Sequence, residues 1–337
     1  MVDLTRLSKR CEATHKSDLA QISGITSNVS QHMRTIAQCL ESRYPGYGRR
    51  ESYRREIERV CGAFLSSGLA DPKYKRELTG DSDGSFWSCV SEALIFDRIS
   101  SLPRPPRSNV GEGPDFLLSY GSQRVWIEVV CPEPIGLPVE WLEMQENSAS
   151  SVPHEAILLR WTSVIKDKTD RLVGCAGDRV KGYLQSGLVA EEDVYVIAVN
   201  GCRLRHGPFS ALLGISQFPY AVEAVFPVGP YQLYIDSQTL KSVGQGHEER
   251  YQIPKPNRAS VPTHAFFDPR YKNVSAIWAV DFNGGAVVGN HEPSALVHNP
   301  NAVQPLPRGF LPCDSEYIAS PSGEGEFILS RFMSGAK

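Results

Sequence analysis

The sequence predicts an α/β fold: a mixed sheet flanked by helices. Three observations predict it. Segments with helical periodicity alternate with short strand-like runs. One run, VYVIAVN (194–200), is almost wholly apolar, as a central strand covered on both faces must be. A two-residue turn, Gly121-Ser122, joins FLLSY to RVWIEVV as an antiparallel hairpin. The 337 residues suffice for one large domain or two ordinary ones, and 41% hydrophobic with 22% charged residues is the balance of a chain that can bury a core.

Residues 1–80 have few β-branched runs and are expected to form a helical N-terminal region. Ser17 would cap a short helix ending near Gly24, with further helices at 29–43 and 50–67. The turn-rich stretch TGDSDGS (79–85) divides this region from a core at 81–205. In the core, a helix at 85–100 ends at the connector LPRPPRSNVGEGP. Strands at 115–120 and 124–130 follow, then a helix at 154–173, a helical piece at 176–186 and the strand at 194–200. Residues 206–337 are expected to form a β-rich extension packed on the core, with strands near 222–226, 231–235 and 274–281. Within it FFDPRY (266–271) would cover the sheet edge, and HNPNAVQPLP (298–307) would be a rigid loop with no assigned chemistry.

A net charge of −3 argues against a uniformly basic coat for nucleic acid and allows only local basic patches. No apolar run approaches the roughly 18 residues of a membrane helix. The opening MVDLTRLSKRCEATHKSD has no apolar secretory segment, so a cytoplasmic location and no membrane partner are expected. None of the eight cysteines stands in CxxC spacing. Cys89, Cys131 and Cys202 lie in apolar segments and read as buried thiols. There is no GxSxG, Walker A or HExxH string. His247-Glu248-Glu249 and His291-Glu292 read as polar pairs in solvated loops.

The hairpin carries the chemistry. With Gly121-Ser122 as its turn, Tyr120 pairs with Gln123, paired numbers sum to 243, and Asp115 stands opposite Glu128. Opposed residues share a sheet face with Cβ atoms about 4.5–5.5 Å apart, and two like charges so placed destabilise the pair. A divalent cation removes the repulsion, and hard oxygen ligands suit Mg²⁺ or Mn²⁺. The alternative is that this end of the face is wet and both acids are solvated.

Pro114-Asp115 followed by a strand, then Glu128-Val129-Val130 at the end of the next, resembles the PD-(D/E)XK nuclease superfamily over roughly residues 85–200. The resemblance implies a restriction-endonuclease-like fold and metal-assisted phosphodiester hydrolysis. Asp115, Glu128 and the Val129 carbonyl would hold the metal. The chain departs from the pattern where the superfamily's lysine is expected and Val130 stands. Two flanking segments bear on this. Superfamily members often carry a glutamate on the helix before the hairpin; at about 100° per residue Glu92 falls on the stripe of Cys89, Phe96 and Ile99. It would be a third metal-site acid or, alternatively, half of a salt bridge. Some members carry the lysine on the following helix. With Ile157 at zero, Lys168 lies near 20° among Trp161, Val164 and Leu172, whereas Lys166 lies near 180°. Lys168 is therefore the catalytic candidate, with a snorkelling lysine as the alternative.

For nucleic-acid contact, RYPGYGRRESYRREIER (43–59) offers Arg49, Arg50, Arg54 and Arg55 among tyrosines, or else a helix laced with acid–base pairs. Arg104 and Arg107 of PRPPR and Arg160 are further candidates. The expectation is a Mg²⁺-dependent endonuclease acting on nucleic acid, DNA ahead of RNA, with a homodimer left open. The resemblance would suit bacterial defence. An inactive nuclease fold that binds nucleic acid or a protein, and an unrelated α/β protein, are the competing readings.

Overall fold

The structure is a computed structural model, and it describes residues 35–105, 112–143, 151–175, 180–207, 210, 212–323 and 326–333. The expected helix at Ser17 lies outside these residues.

Helix α1 (Ile36–Arg43) begins at Thr35, whose hydroxyl accepts from the Gln38 amide while Gln38 reaches back to the Thr35 amide. Helices α2 (Arg49–Ser66) and α3 (Tyr74–Leu78) follow. Then comes α4 (Asp83–Arg98), capped by the Ser82 hydroxyl on the Ser85 amide. The hairpin is β1 (Phe116–Tyr120) and β2 (Gln123–Val130). Gly121 has φ +59° while Ser122 does not enter positive φ, as a type II′ turn requires. After the short α5 (Val139–Leu142), α6 (His154–Val173) occupies the expected residues and ends at Gly174, where φ is +82°. A short α7 (Tyr183–Ser186) leads to β3 (Val194–Asn200), every residue of which is buried.

The second half holds α8 (Tyr220–Val225), β4 (Val228–Ile235), β5 (Ser242–Glu249), β6 (Gln252–Pro254), β7 (Ser260–Pro262), β8 (Ala276–Val280), α9 (Gly284–Val287), β9 (Ser294–His298), β10 (Ser315–Gly323) and β11 (Glu326–Met333). Seven strands form one mixed sheet in the order β1-β2-β3-β8-β9-β10-β11. Strands β4-β5 and β6-β7 are separate ribbons. Strands β2, β3 and β8 run parallel, and β1 is antiparallel to β2. One face buries Ile127, Val129, Val196 and Trp278 under α2 and α4. The other buries Trp126, Tyr195, Ile197 and Ile277 under α6 and α8. Both faces are covered, so the central strands have no polar side and show no alternation.

Three sequence expectations need correction. The division at residue 205 falls inside the sheet, because β8–β11 continue it beyond β3. The N-terminal helices share a core with α4 and β1 through Phe64, Phe96 and Phe116, so the turn at 79–85 separates no independent core. The strand expected near 222–226 is helix α8, buried along its whole length. A short, mostly apolar helix buried on every side looks like a buried strand over six residues. FFDPRY forms two 3₁₀ turns packed on α6 and α8, and its Phe267 lies 5.3 Å from Phe327 of the edge strand β11. In addition, His247-Glu248-Glu249 belongs to β5.

Candidate active site

The hairpin pairs from Tyr120↔Gln123 to Phe116↔Ile127, so the next position outward sets Asp115 against Glu128. Asp115 immediately precedes β1. Its Oδ2 accepts from the Val129 amide at 2.6 Å, which ties the carboxylate to the end of β2. Glu128 is only 4% exposed. Its position in β2 turns it to the face that α6 covers, opposite to Ile127 and Val129.

Lys168 reaches that face from α6. Its Nζ donates to Glu128 Oε1 at 2.6 Å. Lys166, two residues earlier, points to solvent and pairs with Asp170 at 2.5 Å. The opposed acids thus have an ammonium beside them, which relieves part of the repulsion expected from the hairpin alone. Burial pulls the Lys168 ammonium down, but the charges of Glu128 and Asp115 outweigh it and hold the pKa above its ordinary value.

Glu92 arrives from α4 on the other side of the hairpin's end. Burial pushes its carboxyl well above the usual range, the negative charge of Asp115 adds to this, and Lys168 opposes it. Like charges crowded in low dielectric cannot all ionise freely. Two residues that sequence reasoning missed complete the wall. Arg171 Nε donates to the Tyr183 hydroxyl at 2.6 Å, and that hydroxyl stands 3.5 Å from Glu128 Oε2. Burial and the charge of Glu128 push the Tyr183 hydroxyl up to about 12. Arg171 was findable, since it follows Lys168 by three positions on the same stripe of α6. Tyr183 carried no local signal.

Glu92, Asp115, Glu128, Lys168, Arg171 and Tyr183, with Phe64, Leu69 and Asp71, line a cavity of about 230 Å³. All four candidate catalytic residues therefore face one space. Among the described residues no group of three or more His, Cys, Asp or Glu side chains is arranged to hold a metal ion.

The basic candidates do not gather there. Arg49 and Arg50 are exposed at the start of α2, and Arg50 donates to the Pro45 carbonyl. Arg54 is committed to the fold through the Tyr44 and Gly46 carbonyls and Glu41. Arg55 pairs with Glu51 at 2.7 Å. Phe64, the α2 residue that lines the cavity, lies nine positions beyond Arg55, roughly 14 Å along the helix. Arg160 donates to the Glu133 carbonyl at 2.8 Å. The Arg104 guanidinium lies 4.7 Å from the Phe96 ring, which packs on the cavity residue Phe64. Arg107 lies outside the described residues. No described helix is long and apolar enough to cross a membrane.

Comparison with protein-family models, curated proteins and solved structures finds no match for this chain.

Proposed function

We propose that this chain is a metal-dependent nuclease of the PD-(D/E)XK type, with a restriction-endonuclease-like core and its lysine carried on α6 as Lys168. One observation carries the reading. Asp115 and Glu128, opposed on a hairpin, share a cavity with Lys168, whose Nζ lies 2.6 Å from Glu128.

The donor set fits Mg²⁺ or Mn²⁺. Magnesium takes one or two carboxylates and fills its remaining positions with water and substrate oxygens, so it does not need a cage of three side chains. The charge balance points the same way: four acids, Asp71, Glu92, Asp115 and Glu128, line the cavity against Lys168 and Arg171, and burial together with the charge of Asp115 raises the Glu92 carboxyl. Asp115, Glu128 and the Val129 carbonyl would hold the ion, with Glu92 supporting it through water. When bound, the ion supplies charge neutralisation at the phosphate and acidifies water. Lys168 would orient the attacking water and stabilise charge developing on the phosphate oxygens. Arg171, held by Tyr183, would contact the phosphate. DNA is proposed ahead of RNA as substrate. The cytoplasm is the proposed location, where the buried thiols Cys39, Cys61, Cys89, Cys131 and Cys202 stay reduced.

A second reading has its own observation. Lys168 is drawn onto Glu128 and Val130 stands at the pattern's lysine position, so the site suits a binding module that has lost catalysis equally well in charge terms. Plasmid DNA and single-stranded RNA incubated with the protein in Mg²⁺, Mn²⁺ or EDTA separate the two. The nuclease reading expects metal-dependent cleavage that disappears in Asp115→Ala and Glu128→Ala. Binding without cleavage in every metal selects the module. Absence of both binding and cleavage sinks both readings.

A further inference from the structure

A second concavity, of about 1110 Å³, lies between the end of α4 and strands β9–β11. It exceeds the roughly 300–1,000 Å³ of small-molecule pockets and opens broadly to solvent, which suits an extended ligand. Its acids are already engaged. Glu316 accepts from the Gly309 amide at 2.7 Å and lies 2.9 Å from His298 Nε2. Asp314 accepts from the Ser294 amide at 2.7 Å and lies 3.1 Å from His291. Glu292 stands 3.6 Å from Arg205.

Its arginines are not engaged in that way. Among the described residues neither Arg98 nor Arg308 has a carboxylate within 4.0 Å. Each is instead laid over an aromatic ring: Arg98 is 5.0 Å from the Phe282 centroid and Arg308 4.0 Å from that of Phe332. Both are exposed. Stacking on a ring holds a guanidinium's plane while leaving its N–H groups free to meet an anion. Phe332 is 38% exposed, and the half-buried Phe310 lines the same cleft. Arginines without acidic partners beside partly exposed aromatic rings are the elements of a surface that grips phosphates and stacks bases. A duplex, with its bases stacked inside, would leave the exposed ring surface unused.

We propose that this cleft is a binding track for single-stranded nucleic acid, with Arg98 and Arg308 on phosphates and Phe310 and Phe332 against bases. The proposal takes its polynucleotide class from the nuclease reading and its location from the cleft alone. Arg98 lies six residues beyond Glu92 on α4, roughly 9 Å along the helix, so the track begins within two turns of the catalytic wall.

The test uses fluorescein-labelled dT12 in EDTA, with anisotropy followed across a salt series. The full chain binds. The double variant R98A/R308A weakens binding at least tenfold and makes the log K against log salt slope less negative by about 1.4, two single-strand phosphate contacts. F332A weakens binding without changing the slope. R49A/R50A, which removes the same charge from the far end of α2, leaves both quantities unchanged, and melting curves establish that each variant is folded. Wild-type failure to bind dT12, R98A/R308A binding within twofold of wild type, or equal loss in R49A/R50A overturns the proposal. So does competition by poly-glutamate as effective as by unlabelled dT12, which would mark a surface for acidic protein. Binding through the cleft with no cleavage in any metal removes the nuclease reading and leaves the track. Cleavage undiminished in R98A/R308A removes the track and leaves the nuclease.

Discussion

Helix α6 meets a buried carboxylate at each end, and the two encounters differ in kind. At its first residue, His154 Nε2 lies 2.5 Å from Glu223. Glu223, fully buried, also accepts from the Ser216 amide and hydroxyl and from Arg250 at 2.7 Å. Four turns later Lys168 meets Glu128. Glu223 is met by donors from His154, Ser216 and Arg250 and has no opening to solvent. Burial raises its carboxyl, but the hydrogen bonds from His154 and Ser216 outweigh it and hold the pKa below the ordinary range. Glu128 has one strong donor, two acidic neighbours and a cavity in front of it. A buried acid–base pair is therefore no mark of function by itself. What distinguishes the Glu128 end is surplus acid together with access.

That contrast can be broken most forcefully at Glu223. Glu223→Ala leaves Arg250 and His154 facing a void, and the expected loss is about 3–5 kcal/mol of stability, read from urea melts. Cleavage per folded molecule should be unchanged; a specific loss of activity would mean that the hub serves the site. At the other end Asp115→Asn is expected to reduce metal-dependent cleavage about 10³-fold, or about 4 kcal/mol in the barrier, with a far smaller change in stability. A variant that keeps its rate would remove Asp115 from the chemistry. Lys168→Met should lower kcat about 10²-fold, near 2.7 kcal/mol, as loss of one preorganised donor does. If kcat holds and only melting changes, the lysine is a structural counter-ion.

The smallest effect concerns pH. A carboxyl raised on folding is penalised at high pH: the cost is complete above its folded pKa and vanishes as pH falls to the unfolded value near ~4.3. Glu92→Gln should therefore raise the melting temperature at pH 7–8, with the gain shrinking toward pH 4. For Glu223 the sign reverses. Its stabilisation is full above the unfolded value and is lost as pH falls through the lowered folded pKa, so wild type should outlast Glu223→Gln at pH 7 and converge with it in acid. Parallel pH profiles for the two variants would show that the two ends of α6 are electrostatically alike.

The sequence by itself determined the local geometry. The Gly121-Ser122 turn sets the register that opposes Asp115 and Glu128, because a two-residue hairpin leaves one pairing. Periodicity within α6 separates Lys168 from Lys166, and periodicity within α4 points Glu92 inward, because each is a property of one helix. Only the tertiary structure decided what joins distant segments. It sets β8 beside β3 and so makes the C-terminal third part of the central sheet. It buries YAVEAV as a helix where local β-branching suggests a strand. It brings Tyr183 to Glu128 across 55 positions and Arg250 to Glu223 across 27. It also turns Arg98 and Arg308, isolated in the sequence, into two walls of one cleft, while the dense arginines of 49–55 are left at the far end of α2. The physical reason is common to all of these. Turn type and helical phase are carried by neighbouring residues, whereas burial and pairing depend on which surfaces meet.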